Sequence, residues 1–115
     1  MEDGIERKEV VSSIEVENDL KDIYLYSLET FGWRKADEYL NLLKKVIRQL
    51  SELYSMNSEC RQLATKGKIY RRAIVESHII IYRIVHRIEV LRVLHSASSN
   101  RKIRTARNVK IRSTC

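Results

Sequence analysis

Proline is missing from the 115 residues, and glycine occurs three times and cysteine twice. Without proline no residue is denied a backbone N–H, so elements must be ended by glycine or by polar runs. Cys60 and Cys115 stand far apart, one of them at the last position. That spacing makes neither a disulfide framework nor a zinc site, and a reducing cytoplasm is expected. No run approaches the roughly 20 apolar residues that span a bilayer. The opening Met-Glu-Asp-Gly lacks the basic and apolar blocks of a signal peptide. A Walker-type glycine loop, a Gly-x-Ser-x-Gly elbow and any metal-ligand spacing of His or Cys are also absent. No cofactor, metal, membrane or small-molecule substrate is therefore expected. The aromatic–basic interleaving of an RNA-binding sheet is missing as well.

What is present suits one folded domain, since 43% of the residues are hydrophobic and 32% charged. The net charge of +7 is unevenly spread. Residues 1–20 hold seven acids against Arg7 and Lys8, and residues 101–112 hold six Lys or Arg and no acid. Such a chain favours polyanions or acidic protein surfaces, although a plainly solvated surface would carry the same charge.

Glu9–Ser13 contains a short β-branched stretch that fits an edge strand. Ser12 or Ser13 then offers a cap for a helix whose face runs Val16, Leu20, Ile23, Tyr24, Ser27, Leu28, Phe31. Gly32 stops it. A second helix starts near Trp33 and carries Ala36, Tyr39, Leu40, Leu43, Val46, Ile47, Leu50, Leu53 and Tyr54 in one stripe. So short a break predicts an antiparallel helical hairpin, with Trp33 as a packing cap at its tip. Residues 55–68 read as a polar loop. Beyond it the period becomes 2 in Ile69–Val75, His78–Val85 and Ile88–His95, which predicts a three-stranded antiparallel meander. The breaks Glu76-Ser77 and His86-Arg87 lack the Gly or Asn of good two-residue turns, so each must be strained or longer. The fold class is α+β: a helical hairpin on a three-stranded antiparallel sheet, four-stranded if Glu9–Ser13 joins. Residues 10–100 are taken as the domain, 1–9 as a polar extension and 101–115 as a basic tail, either disordered or a short helix after Asn100.

Two-residue turns would pair residues whose numbers sum to 153 in the first strand hairpin and 173 in the second. Arg72 and Arg92 then flank Ile81, with Arg83 on the same face. Three guanidiniums together repel, so they ask for an outside anion; otherwise each snorkels to the edge or pairs with a helix acid such as Glu38 or Glu52. On the other face His78 meets His95, with Arg71 and Tyr82 further along. Histidine titrates near neutrality and such a pair can move protons. The simpler account is two half-buried strand ends, because no carboxylate or lysine converges there.

From Asp19 to Arg101 the chain resembles the ParE branch of the ParE/RelE toxin superfamily. The matching stretches are Asn18–Tyr24, Gly32-Trp33, Ala36, Tyr39, Leu40, Tyr70-Arg71-Arg72, Ser77–Arg83, Ile88–His95 and Asn100-Arg101. The resemblance implies a RelE/ParE-like fold and the toxin half of a bacterial type II toxin–antitoxin system, of the kind linked to plasmid stabilization. It implies DNA gyrase as the target, poisoned by binding, and a cognate antitoxin as the partner that neutralises it in a hetero-oligomer. Arg83, Arg92 and His95 are hallmark positions, with Tyr82 and Arg71 beside them. Antitoxin is expected on Arg72, Arg83 and Arg92, and the target on Asn100, Arg101, Lys102 and Arg104. No residue is catalytic in this reading. The alternatives are a RelE-like mRNA endonuclease using Arg83, Arg92, His95 and Tyr82, and a degenerate toxin acting only through its antitoxin.

Overall fold

The structure is a computed structural model, and it describes residues 6–111. Strand β1 (Val10–Ser12) leads into helices α1 (Ile14–Phe31) and α2 (Trp33–Leu53). Two 3₁₀ turns, Tyr54–Met56 and Arg61–Leu63, precede strands β2 (Tyr70–Val75), β3 (His78–Ile84) and β4 (Ile88–His95). A short helix α3 (Asn100–Arg104) and a 3₁₀ turn (Thr105–Asn108) follow.

The helical hairpin forms as its stripes require. Ser13 caps α1, its Oγ accepting the Val16 N–H at 3.1 Å, and Glu15 and Glu17 lie in the positive first turn. Gly32 ends the helix at φ 90°, a conformation that strains any residue with a Cβ. Val16, Leu43, Ile47 and Leu50 pack on Ala73, Val75, Ile80, Tyr82, Ile88 and Val90, one face of the sheet.

The sheet runs β1-β4-β3-β2. Its first strand joins parallel to β4, with Val10 beside Ile88, so the sheet is mixed rather than wholly antiparallel. Period-2 alternation marks a strand but carries no direction, and direction here follows from the run into α1. The first strand hairpin has the expected register throughout, Tyr70 meeting Arg83 and Val75 meeting His78. Its turn is the strained kind, with Glu76 at φ 51°. The second is the longer kind: β3 ends at Ile84 rather than Val85, leaving Val85, His86 and Arg87 between the strands. There the expected pairs hold from His78 with His95 to Ile81 with Arg92, then shift by one. Leu91 is the extra residue of a β-bulge, and its carbonyl accepts the buried Ser13 hydroxyl at 2.8 Å.

Residues 55–68 depart from expectation, while the tail takes the helical one of its two expected courses, α3 from Asn100, and packs as well. Residues 55–68 are more than a polar loop. Cys60 and Leu63 are fully buried, and the segment hydrogen-bonds along β2, Cys60 N–H to the Tyr70 carbonyl and Arg72 N–H to the Ser58 carbonyl. The basic tail drawn from residue 101 is packed as far as it is described. Ser99 caps α3, and Ile103, Ala106 and Val109 are buried on Ile79, Ile81, Leu91 and Leu94. Three apolar residues at a spacing of three are easily hidden among six cations, yet they suffice to seat one turn-rich segment. Packing on the sheet thus continues beyond residue 100, through Val109 to the partly buried Ile111. At the other end, residues 6–9 lie against the body through Tyr54 Oη to the Glu6 carbonyl, Lys8 N–H to the Ser51 carbonyl and Ile88 N–H to the Glu9 carbonyl. The remainder of the expected extension and tail, residues 1–5 and 112–115, falls outside the described residues.

Candidate functional site

Arg72, Arg83 and Arg92 share the sheet face turned away from the helical hairpin, as the pairing arithmetic requires. Two of them already hold carboxylates of this chain. The bulge moves Arg83 from opposite Val90 to opposite Glu89, and Arg83 Nε donates to Glu89 Oε1 at 2.9 Å. Arg87 donates to the other carboxylate oxygen at 3.0 Å, and Glu89 is only 8% exposed. Burial works against the charge of both partners. The Tyr70 hydroxyl and Glu89 more than offset it for Arg83, raising its pKa, and the two arginines more than offset it for Glu89, lowering its own.

Arg92 is clamped by Asp19 of α1, with Nε to Oδ2 and Nη2 to Oδ1 both at 2.8 Å. Oδ2 also accepts the Val93 N–H at 2.9 Å. Strand β1 pairs with β4 only as far as Val90, so the edge beyond is open to Asp19. These hydrogen bonds raise the Arg92 pKa, against the opposing effect of burial. Neither Glu38 nor Glu52, the helix acids considered from sequence, is the partner. Arg72 differs. Its Nε is buried without a hydrogen-bond partner, and it forms no ion pair among the described residues.

His78 and His95 are paired as expected, their rings 5.4 Å apart and edge to face. Tyr39 Oη lies 2.6 Å from His78 Nδ1 and 3.1 Å from the Val75 carbonyl. His95 Nδ1 accepts the Ala97 N–H at 3.0 Å. Burial lowers the His78 pKa, and His95 lowers it further. Tyr82 is four residues from His78, about 13 Å along the strand. It is fully buried, donates to the Tyr54 carbonyl at 2.6 Å and accepts from Asn57 at 3.2 Å. Arg71 is engaged with the Lys68, Ser55 and Asn57 carbonyls. Thus Tyr82, Arg83, Arg92 and His95 do not converge. Tyr82 and Arg83 project to opposite faces, both arginines are held by carboxylates, and His95 is exposed at the strand end.

Of the expected target-binding residues, Asn100 holds Gln62 at 3.0 Å, while Arg101, Lys102 and Arg104 are exposed around α3. Sequence reasoning missed Asp19 and Glu89 as partners. Asp19 stands within the matched Asn18–Tyr24 stretch, and Glu89 is the acid interrupting an apolar strand. It also missed a cleft of about 550 Å³ between the helical hairpin and the β2–β3 turn, lined by Tyr26, Phe31, Lys35, Tyr39, Glu76 and His78 among others. Trp33 is no packing cap. It is 61% exposed, with the Arg34 guanidinium 5.4 Å from its ring. Among the described residues no helix is long and apolar enough to cross a membrane, and no three His, Cys, Asp or Glu gather as a metal would need.

The molecule is thus a basic α+β domain, a helical hairpin on a mixed four-stranded sheet with arginines along its strands. Residues 10–99 match the family model described as the ParE toxin of the type II toxin–antitoxin system parDE. Toxin ParE1 of Caulobacter vibrioides is 34% identical over 83 residues, covering 72% of this chain and 83% of that protein. A solved structure titled as the chromosomal ParDE TA system from P. aeruginosa superposes with a TM-score of 0.65 at 15% identity, over 77% of this chain and 96% of that one. The chain belongs to the ParE toxin family of type II toxin–antitoxin systems.

Proposed function

We propose that this ParE-type toxin acts in the cytoplasm by binding DNA gyrase rather than by chemistry, and that a cognate antitoxin holds it inactive. The observation that carries the binding reading is the dispersal of Tyr82, Arg83, Arg92 and His95. Acid–base catalysis needs its groups within hydrogen-bond reach of one reacting centre, and here Tyr82, Arg83 and Arg92 are each engaged elsewhere. In this reading acidic residues of the antitoxin dock on the arginine face. Arg72 is the principal anchor because, unlike Arg83 and Arg92, it forms no ion pair among the described residues. Arg92 keeps Nη1 beyond its Asp19 clamp, and Arg83 borders the same strip. Asn100, Arg101, Lys102 and Arg104 meet the target from α3, in the layer packed over part of that face.

His95→Gln separates binding from catalysis. The variant and the parent should inhibit gyrase supercoiling within a few-fold of each other, with no cut in ribosome-bound mRNA by primer extension. An RNase would lose about 10²–10⁴-fold with the imidazole. Cleavage by the parent that disappears in His95→Gln while antitoxin binding persists replaces the gyrase reading with the endonuclease. In the same preparation Arg72→Ala should weaken antitoxin at least about tenfold, the cost of stranding a partner's buried charge.

A further inference from the structure

Residues 57–111 contain thirteen Lys and Arg against three acids, whereas residues 10–56 contain six against eight. Much of the surplus lies in the layer that covers the sheet's second face. Arg61, Lys66 and Lys68 are exposed on its first segment. Arg101, Lys102, Arg104, Arg107 and Lys110 are exposed on its second. None of these eight forms an ion pair among the described residues. Glu59, the one carboxylate in the layer, is turned to the Thr65 N–H at 3.1 Å. The two segments are joined by the Gln62–Asn100 hydrogen bond and by the shared burial of Leu63, Cys60, Ile103 and Val109. The cations therefore stand on a fixed surface.

Three partners suit such a surface, and its composition separates them. A protein interface has an apolar or aromatic anchor at its centre. The large apolar side chains left exposed lie on α1, α2, the turn after α2, and β2, with none in this layer. Stable seating on a membrane takes an apolar face free to insert besides the cations, and here Ile103 and Val109 are turned onto the sheet. Unpaired bases would require aromatic platforms, and residues 57–69 and 96–111 contain no aromatic residue. What is left is the regular phosphate array of a duplex.

We propose that this basic layer, from Arg61–Leu63 across α3 to the 3₁₀ turn after it, binds the phosphate backbone of duplex DNA without reading its sequence. The choice of DNA over duplex RNA rests on the gyrase reading, because the enzyme poisoned there is itself bound to DNA. The contact does not need gyrase, so it is measured without it.

Fluorescence anisotropy of a labelled 20-base-pair DNA duplex with the full chain tests the proposal. Engaging five or six phosphates gives a log–log salt slope near −5, so affinity should fall about 10³-fold between 50 and 200 mM salt. The triple variant Arg101→Glu, Lys102→Glu, Arg104→Glu should bind at least about 30-fold more weakly. Arg61→Gln with Lys68→Gln should cost less, about tenfold. Lys44→Glu, Lys45→Glu, Arg48→Glu on the exposed side of α2 removes as much charge as the first variant and should stay within twofold. Circular dichroism checks that each variant is folded, and Arg101→Gln, Lys102→Gln, Arg104→Gln replaces the glutamates if they unfold the chain. Four results overturn the proposal: no duplex binding at 50 mM salt, equal weakening by the α2 variant, stronger binding to single-stranded DNA or duplex RNA, or stronger binding to anionic vesicles. If the duplex binds and gyrase is unaffected, the gyrase reading fails while the surface stands.

Discussion

The two faces of the sheet bury similar side chains and present opposite chemistry outward. The helical hairpin covers one with Val16, Leu43, Ile47 and Leu50, and the layer of short turns covers the other with Leu63, Ile103, Ala106 and Val109. Outward, the hairpin shows mixed charge and an apolar tip of Leu25, Tyr26, Phe31 and Trp33, whereas the layer shows cations almost alone. One cover is regular, and each of its residues is seated by helical periodicity over 39 residues of α1 and α2. The other has no element longer than five residues, so its position depends on a few buried side chains. A polyanion surface placed on such a cover is held by three or four apolar contacts.

That difference can be broken from either side. Leu43→Ala empties a fully buried site beneath the long helices and should cost about 3–5 kcal/mol in urea denaturation. Ile103→Ala, beneath the short cover, should cost less, about 2–3 kcal/mol, because irregular turns can collapse into the gap. Equal losses would mean that the two covers are equally rigid. A loss under about 0.5 kcal/mol for Ile103→Ala would mean that the layer is not part of the cooperative unit.

Glu89 sharpens the comparison electrostatically. Glu89→Gln leaves Arg83 and Arg87 without their carboxylate, and a cost of about 2–3 kcal/mol is expected, discounted for the partial exposure of both arginines. Removing the Arg7–Glu52 pair on the hairpin side, by Glu52→Gln, should cost under about 0.5 kcal/mol because both side chains are well exposed.

The smallest effect is in pH. His78 is held neutral below its ordinary value of 6.5, so the unfolded chain takes up its proton first and stability should fall as pH drops below about 6.5. Tyr39, His95 and Glu76 surround it, and Glu76 alone opposes the shift. Glu89, lowered from 4.5, stabilises at higher pH and loses that contribution only as pH falls through its folded value. Melting curves of His78→Gln should lack the decline that starts near pH 6.5 and keep the one at lower pH. An unchanged profile would show that His78 titrates alike in both states.

Sequence alone determined whatever depends on neighbours along the chain. The 3.6-residue stripes and Gly32 specified the hairpin, period 2 specified three strands, and the two-residue break at Glu76-Ser77 specified the whole β2–β3 register. It also put Arg72, Arg83 and Arg92 on one face and His78 beside His95. Tertiary structure decided what depends on distant segments. The direction of β1 follows its run into α1, and the bulge at Leu91 is settled where Ser13 takes the freed carbonyl. That single inserted residue turned Arg83 toward Glu89, and the short reach of β1 opened the edge through which Asp19 holds Arg92. The cover of the second face became visible only when Ile103, Ala106 and Val109 met the sheet, because their spacing is too sparse, among so many cations, to mark a packed segment in isolation. Local periodicity repeats and can be read from a few residues, whereas the Ser13–Leu91 hydrogen bond and the Asp19–Arg92 ion pair are single events between segments more than 70 residues apart.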